Sequence, residues 1–383
     1  MKDRAGNRAF GAAGEVLVYL GLLFACGAAR ASVAVLLEQP YGDLGRVYPA
    51  GHSAIYLDHV CAASPTELRP CGAGELGVVL SRYDGVGGYD WLAVPLIPYL
   101  YSVETADEIP LSMDKIGETR VRDAYRRAHL ESVAPDLANG NAPAGNWYEL
   151  VGSAYDRTIY GFSVKTTAEQ DAGLIAMFND RRNVQRYNGE FTNCADFTRV
   201  TINRFYPHAV RRNFIADFGM TSPKSVARGL AHYAKKHPET EFHTFVVPQV
   251  AGSLPRSRGA VDLAEGILKQ YSIPLVILSP TTVGVVAVAY LIHGRFAMPK
   301  DAPLLDLHQA VVEAGVVPKL PAEDSAGAGG ASVMVAATMV IAPAVIVAPA
   351  VALPVPVAMP VATPVPPPPA PVLSLVSGKG SSN

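Results

Sequence analysis

Two short stretches carry the residue types needed for covalent catalysis. One is Tyr187-Asn188-Gly189-Glu190-Phe191-Thr192-Asn193-Cys194-Ala195-Asp196-Phe197, in which a turn and a short extended approach lead into a helix opening at Cys194. Phe197, Val200, Thr201 and Phe205 follow at helical spacing, and Pro207 stops the run. A thiol at a helix N-terminus sits among unpaired backbone N–H groups at the positive end of the helix dipole, and both favour the thiolate. The pKa of Cys194 is therefore expected below the free value of about 8.5. The second stretch is Gly51-His52-Ser53-Ala54-Ile55-Tyr56-Leu57, a strand with His52, Ala54 and Tyr56 on one face and Ser53, Ile55 and Leu57 on the other. Brought together, Cys194 would attack a carbonyl with His52 as its general base, the chemistry of a Cys/His hydrolase or transferase. The competing readings are a buried inert thiol and a histidine that only packs.

The elements that must position these residues read as a mixed α+β order. Strands are expected at residues 33–37, 52–57, 76–83 and 91–97, the last on a sheet edge because Pro95 and Pro98 interrupt it. Helices are expected at 120–132, from the capping box Thr167-Ala168-Glu169-Gln170 to about 182, and from Ser222-Pro223 to about 236. Residues 147–154 read as helical, 158–164 and 242–247 as extended, and 301–320 as holding one short amphipathic helix.

Across 383 residues the net charge is −2, which gives no reason to expect nucleic acid, while 17% charged and 49% hydrophobic residues suggest apolar segments beyond an ordinary core. Lys2, Arg4 and Arg8 precede an apolar run over 16–29, and Ala29-Arg30-Ala31 has the form of a signal-peptidase site, so export is expected, with an uncleaved anchor as the alternative. Cys61 and Cys71 bracket a short turn-rich loop and are expected to pair in an oxidising compartment, which leaves Cys194 alone in the mature chain. Residues 275–292 carry no charge and are long enough to cross a bilayer. The expected organisation is a signal peptide at 1–31, an α+β domain at 32–255, a linker or amphipathic helix at 256–272 and a membrane helix at 273–293. A short helix and linker at 294–330 and an Ala/Val/Pro-rich tail at 331–383 complete it. No phosphate loop, zinc-ligand pattern or paired-carboxylate signature occurs, so no cofactor and no metal are expected.

The pair Gly-His-x-Ala-Ile-Tyr and, about 140 positions later, Asn-Cys-x-x-Phe resembles the circularly permuted papain-like branch of the NlpC-type cell-wall peptidase superfamily. That branch includes lecithin:retinol acyltransferase-like proteins. The approach from Tyr187-Asn188 to Asn193-Cys194 is also similar to the periplasmic domain of lacto-N-biosidase maturation-type proteins. The resemblance spans about residues 45–210. It implies a permuted papain-like domain, an antiparallel sheet packed on helices, with Cys194 as nucleophile and His52 as base. It further implies a polar third member on the adjacent strand. Ser81 and Arg82 lie where that strand should pass, Glu75 precedes it, and His59 follows His52 at an offset that puts it on the other strand face. Asn193 reads as the helix cap and, beside the thiol, as a further site candidate; Asp196 reads as satisfying first-turn N–H groups. His129, His208, His232 and His243 read as surface or packing groups. The implied activity is an exported, membrane-tethered cysteine peptidase or amidase acting on cell-envelope peptides or amides. A lipid acyltransferase or phospholipase, or a scaffold that binds without turnover, are the rival functions.

Overall fold

The computed structural model describes residues 31–42, 49–214 and 217–315. The leader expected at 1–31, Ala31 apart, and the tail expected at 331–383 lie outside the described residues. In chain order the chain forms β1 (Ser32–Glu38), β2 (His52–Leu57), β3 (Val60–Ser64), β4 (Glu67–Pro70), β5 (Val78–Ser81) and β6 (Leu92–Pro95). It continues with α1 (Leu96–Tyr101), β7 (Ser112–Met113), α2 (Lys115–His129), α3 (Ser153–Asp156) and β8 (Ile159–Lys165). Then follow α4 (Ala168–Asp180), α5 (Cys194–Phe205), α6 (Pro223–Lys236), β9 (His243–Val247) and β10 (Ala251–Gly252). Finally come α7 (Leu263–Leu278), α8 (Pro280–Ala289) and α9 (Leu307–Glu313).

Six strands form one sheet in the order β6-β5-β2-β1-β8-β9, antiparallel at every join. Side-chain alternation assigns two cores. Ala34, Leu36, Ala54, Val79 and Ile159 face α1, α2 and α3 through Tyr99, Tyr125 and Tyr155. Val35, Leu37, Ile55, Leu80 and Phe162 face α4, α5 and α6 through Phe178, Phe197, Ile202 and Leu230. The result is a helix–sheet–helix sandwich, α+β with an antiparallel sheet. Each fully buried Leu or Ile contributes roughly 1.5–3 kcal/mol, so a one-residue slip of β1 or β2 would expose a whole row. At the β8–β9 join Gly161 lies opposite Phe245, whose ring covers it so closely that a Cβ there would come within 2.1 Å.

Several expected boundaries shift for local reasons. Pro95 closes β6 on the sheet edge and also opens α1, so Ile97 is helical rather than extended. The helix expected at 120–132 starts earlier, at Lys115, because Asp114 caps it by accepting the Gly117 N–H at 2.7 Å. Residues 147–154 form a 3-10 turn (Asn146–Leu150) and the short α3 rather than one helix. Cys61 and Cys71 are disulfide-bonded, their Cα atoms 4.9 Å apart, across the β3–β4 hairpin.

The membrane helix expected at 273–293 is not formed. The apolar run is divided between α7, which begins ten residues earlier than that reading placed it, and α8. Pro280 lacks an N–H and cannot continue α7, while Ser279 accepts the Thr282 N–H and starts a new helix. No helix among the described residues is long and apolar enough to cross a membrane.

Candidate active site

The cysteine stretch is held from several sides. Asn193 caps α5: its side-chain oxygen accepts the Asp196 N–H at 2.9 Å, and its amide donates to Gly189 O and Thr221 O. The oxygen makes the cap, and the amide ties it to the loop before α5 and to the segment after it. Among the described residues Asp196 is engaged by side chains rather than by the first-turn N–H groups expected. Its carboxylate lies 2.9 Å from both Arg199 and Arg212 and accepts from Thr221 Oγ1. Arg82, opposite Ser53 when the β2–β5 register is extended, reaches across to this loop. It donates to Thr192 O at 3.2 Å, pairs with Asp90 at 2.6 Å, and lies 4.9 Å from the Phe197 ring centre.

Cys194 is the first residue of α5 and is half-buried. Its carbonyl accepts from the Thr198 hydroxyl at 2.9 Å, and that hydroxyl meets Ser53 Oγ at 3.1 Å. The sulfur faces the backbone N–H groups of Ser53 and Ala195. Ser53 lies beyond the last β2–β5 pair, Ile55↔Leu80. The N-terminus of α5 therefore abuts the start of β2, the strand that begins with His52.

Burial pushes the Cys194 thiol up to about 11, against those two N–H groups, with the charges of Glu38 and Glu149 adding to the rise. This reverses the depressed value expected from the helix position. A helix N-terminus contributes on the order of 1 kcal/mol, and loss of water around a sulfur anion outweighs it here.

His52 enters β2 through Gly51, whose φ is +77°; a Cβ on Gly51 would sit 2.1 Å from Glu38 O. Only glycine lets the chain turn this tightly into the register that sets His52 opposite Glu38. The imidazole is buried and stacks on Tyr83, ring centres 4.1 Å apart and planes 9° apart. The extended register accounts for this contact, because it places Tyr83 across from His52 and Ser81 across from Ala54. Ser81 is buried on the same face, but its hydroxyl has no hydrogen-bond partner among the described residues and makes no bond to the imidazole. Burial, then the positive charge of Arg157, hold His52 well below the usual imidazole range.

Beneath the imidazole lies a buried polar cluster. Glu38 accepts from the Tyr99 hydroxyl, Arg157 lies 3.1 Å from Glu38 and 2.8 Å from Glu149, and Tyr83 donates to Glu149 O at 3.0 Å. Burial raises the Glu38 carboxyl above its ordinary value despite Arg157. None of Glu38, Tyr83, Tyr99, Glu149 or Arg157 was singled out from sequence. The one available signal was Glu38, a carboxylate ending the apolar strand 33–37.

His52 and Cys194 thus lie at the same end of β2. The α5 helix packs on the Ser53 and Ile55 face, whereas the imidazole turns to the Ala54 face. No hydrogen bond joins Cys194 Sγ to His52 among the described residues, and His52 Nε2 has no partner there. The other histidines lie elsewhere: His59 pairs with Asp58 at 2.7 Å beyond the end of β2, His129 with Glu104 at 2.6 Å, and His243 is exposed on the edge strand β9. Cys61, Cys71 and Glu75 form a close group among the described residues, but both sulfurs are committed to the disulfide.

No family model, no curated protein and no solved structure matches the chain.

Proposed function

We propose that this chain is a cysteine hydrolase of papain-like type acting on amide or peptide bonds, with Cys194 as nucleophile and His52 as general base. One observation carries the reading: the one free thiol among the described residues stands at the first residue of a helix, its sulfur against the N–H of Ser53, next in sequence to a buried histidine. In the resting state thiol and imidazole are both neutral. On substrate binding the imidazole leaves its stack on Tyr83 and takes the thiol proton, and sulfur bonds to the substrate carbonyl carbon. The imidazolium then protonates the departing amine. Water, deprotonated by His52, cleaves the thioester to release the acid and restore the thiol. N–H groups at the start of α5 stabilise the oxyanion. The disulfide supports an exported setting, and the envelope peptides or amides of such a compartment are the substrate class that fits.

A second reading, a binding scaffold without turnover, is favoured by the imidazole packed on Tyr83 and by the raised thiol. Incubation with p-nitrophenyl acetate followed by intact-mass analysis separates the two. The hydrolase acetylates on Cys194, and both Cys194→Ser and His52→Ala abolish the adduct while keeping the native circular dichroism. A wild-type protein that is not acetylated, or one acetylated equally without His52, overturns the hydrolase reading. Long-chain nitrophenyl esters preferred strongly over acetyl and amide substrates would move the assignment to a lipid acyltransferase or phospholipase.

A further inference from the structure

At the opposite end of β2 from Cys194 lies a cleft of about 560 Å³, in the range that holds a small molecule. Its floor is apolar, made by Ala62, Leu76, Ile97 and Pro98, with Ile97 and Pro98 buried. Its mouth is acidic: Glu75, Glu104 and Asp107 line it, and among the described residues it has no lysine or arginine. Glu75 is held well ionised, to about 2, by Arg69, which grips it from outside the cleft. Glu104 meets His129 at 2.6 Å. Asp107 is 91% exposed and stands 3.7 Å from His308.

One wall is a strap fastened at both ends. Residues 303–305 bond to Val246 on β9, the Gly74 N–H donates to Ala314 O at 2.7 Å, and α9 between them presents His308 and Val311 to the cleft. The wall is therefore built into the fold rather than left by a loose loop.

We propose that this cleft binds a small amphipathic cation, an apolar body a few ångströms wide carrying one ammonium group. The apolar floor takes the body, and Glu104 and Asp107 at the mouth take the charge. An acid or a phosphate would bring its negative charge against Glu104 and Asp107, the charge of Glu75 being met by Arg69. The site is independent of Cys194, so it stands whether or not the chain is a hydrolase.

Three probes of matched shape test this by calorimetry on the full chain: 4-phenylbutylamine, 4-phenylbutanol and 4-phenylbutyrate. The ammonium should bind at least about tenfold tighter than the carboxylate, with the alcohol between them, and the gap should narrow in high salt. Glu104→Gln with Asp107→Asn should weaken the ammonium about fivefold to tenfold and leave the alcohol unchanged. Ile97→Trp should abolish binding of all three; if that variant does not fold, Val311→Trp at the strap wall serves instead. Equal binding of amine and acid, an unaltered ammonium affinity in the double variant, or no binding of any probe overturns the proposal. Binding that persists with the cleft filled by tryptophan does so too.

Discussion

The pH dependence of Cys194 tests the balance between burial and the helix terminus. The thiol ionises at about 11 against an ordinary 9.0. At pH 8 the thiolate fraction is then about one in a thousand rather than about one in ten, so alkylation by iodoacetamide should run about a hundredfold slower than for an exposed cysteine. The rate, followed by intact mass with Cys61 and Cys71 oxidised, should keep rising beyond pH 10. The same shift acts on stability. The folded-state value lies above the unfolded one, so the neutral thiol favours the fold fully below about pH 9, and this contribution is lost as pH rises from 9 to 11. Two units correspond to at most roughly 3 kcal/mol. The unfolding free energy of wild type minus that of Cys194→Ala should fall by that order across the window. His52→Ala should change alkylation by iodoacetamide only about twofold, because the resting imidazole is neutral and held in its stack on Tyr83, even though acetylation needs it. A rate profile that levels off at or below pH 8.5 would refute the burial argument and restore the helix terminus as the dominant influence.

Other substitutions probe the frame around the site. Arg82→Ala leaves the nearly buried Asp90 unpaired and frees Thr192 O, so it should cost about 3 kcal/mol in urea unfolding and speed hydrogen exchange over residues 187–193. Arg122 is buried between Glu118 and Asp156 and donates to Val151 O and Gly152 O; Arg122→Met should cost about 3–5 kcal/mol by the same measurement. Cys61→Ala with Cys71→Ala opens a short loop, and an unfolding penalty of about 2–3 kcal/mol is expected. Gly51→Ala meets both a positive φ and the Glu38 carbonyl, and should lower the melting midpoint by an amount equivalent to more than about 1 kcal/mol.

Much of the sandwich was legible because its signals are local. The alternation in 52–57, the Thr167–Gln170 capping box and Ser222-Pro223 each state a period or a cap within a few residues, and the structure forms β2, α4 and α6 there. The Cys61–Cys71 pair needed only a short turn-rich loop and an oxidising setting. Errors arose where one residue carries two meanings. Pro95 ends a strand and also begins a helix, and Pro280 inside an apolar run reads as tolerable to a hydropathy count but as a break to the backbone.

The chain by itself determined which residues could do chemistry and which end of which element each would occupy: Cys194 at the head of α5, His52 at the head of β2, Asn193 as the cap. Tertiary structure alone decided what those groups face. The face taken by each helix depends on contacts more than a hundred residues apart, such as Ser53 with Thr198 and Arg82 with Thr192, which no local period encodes. The protonation of Cys194 and His52 followed from how deeply the folded chain buries them and from Arg157, Glu38 and Glu149 gathered from distant segments. Burial free energy depends on every layer packed above a group, and so it is a property of the assembled sandwich rather than of the sequence around a cysteine.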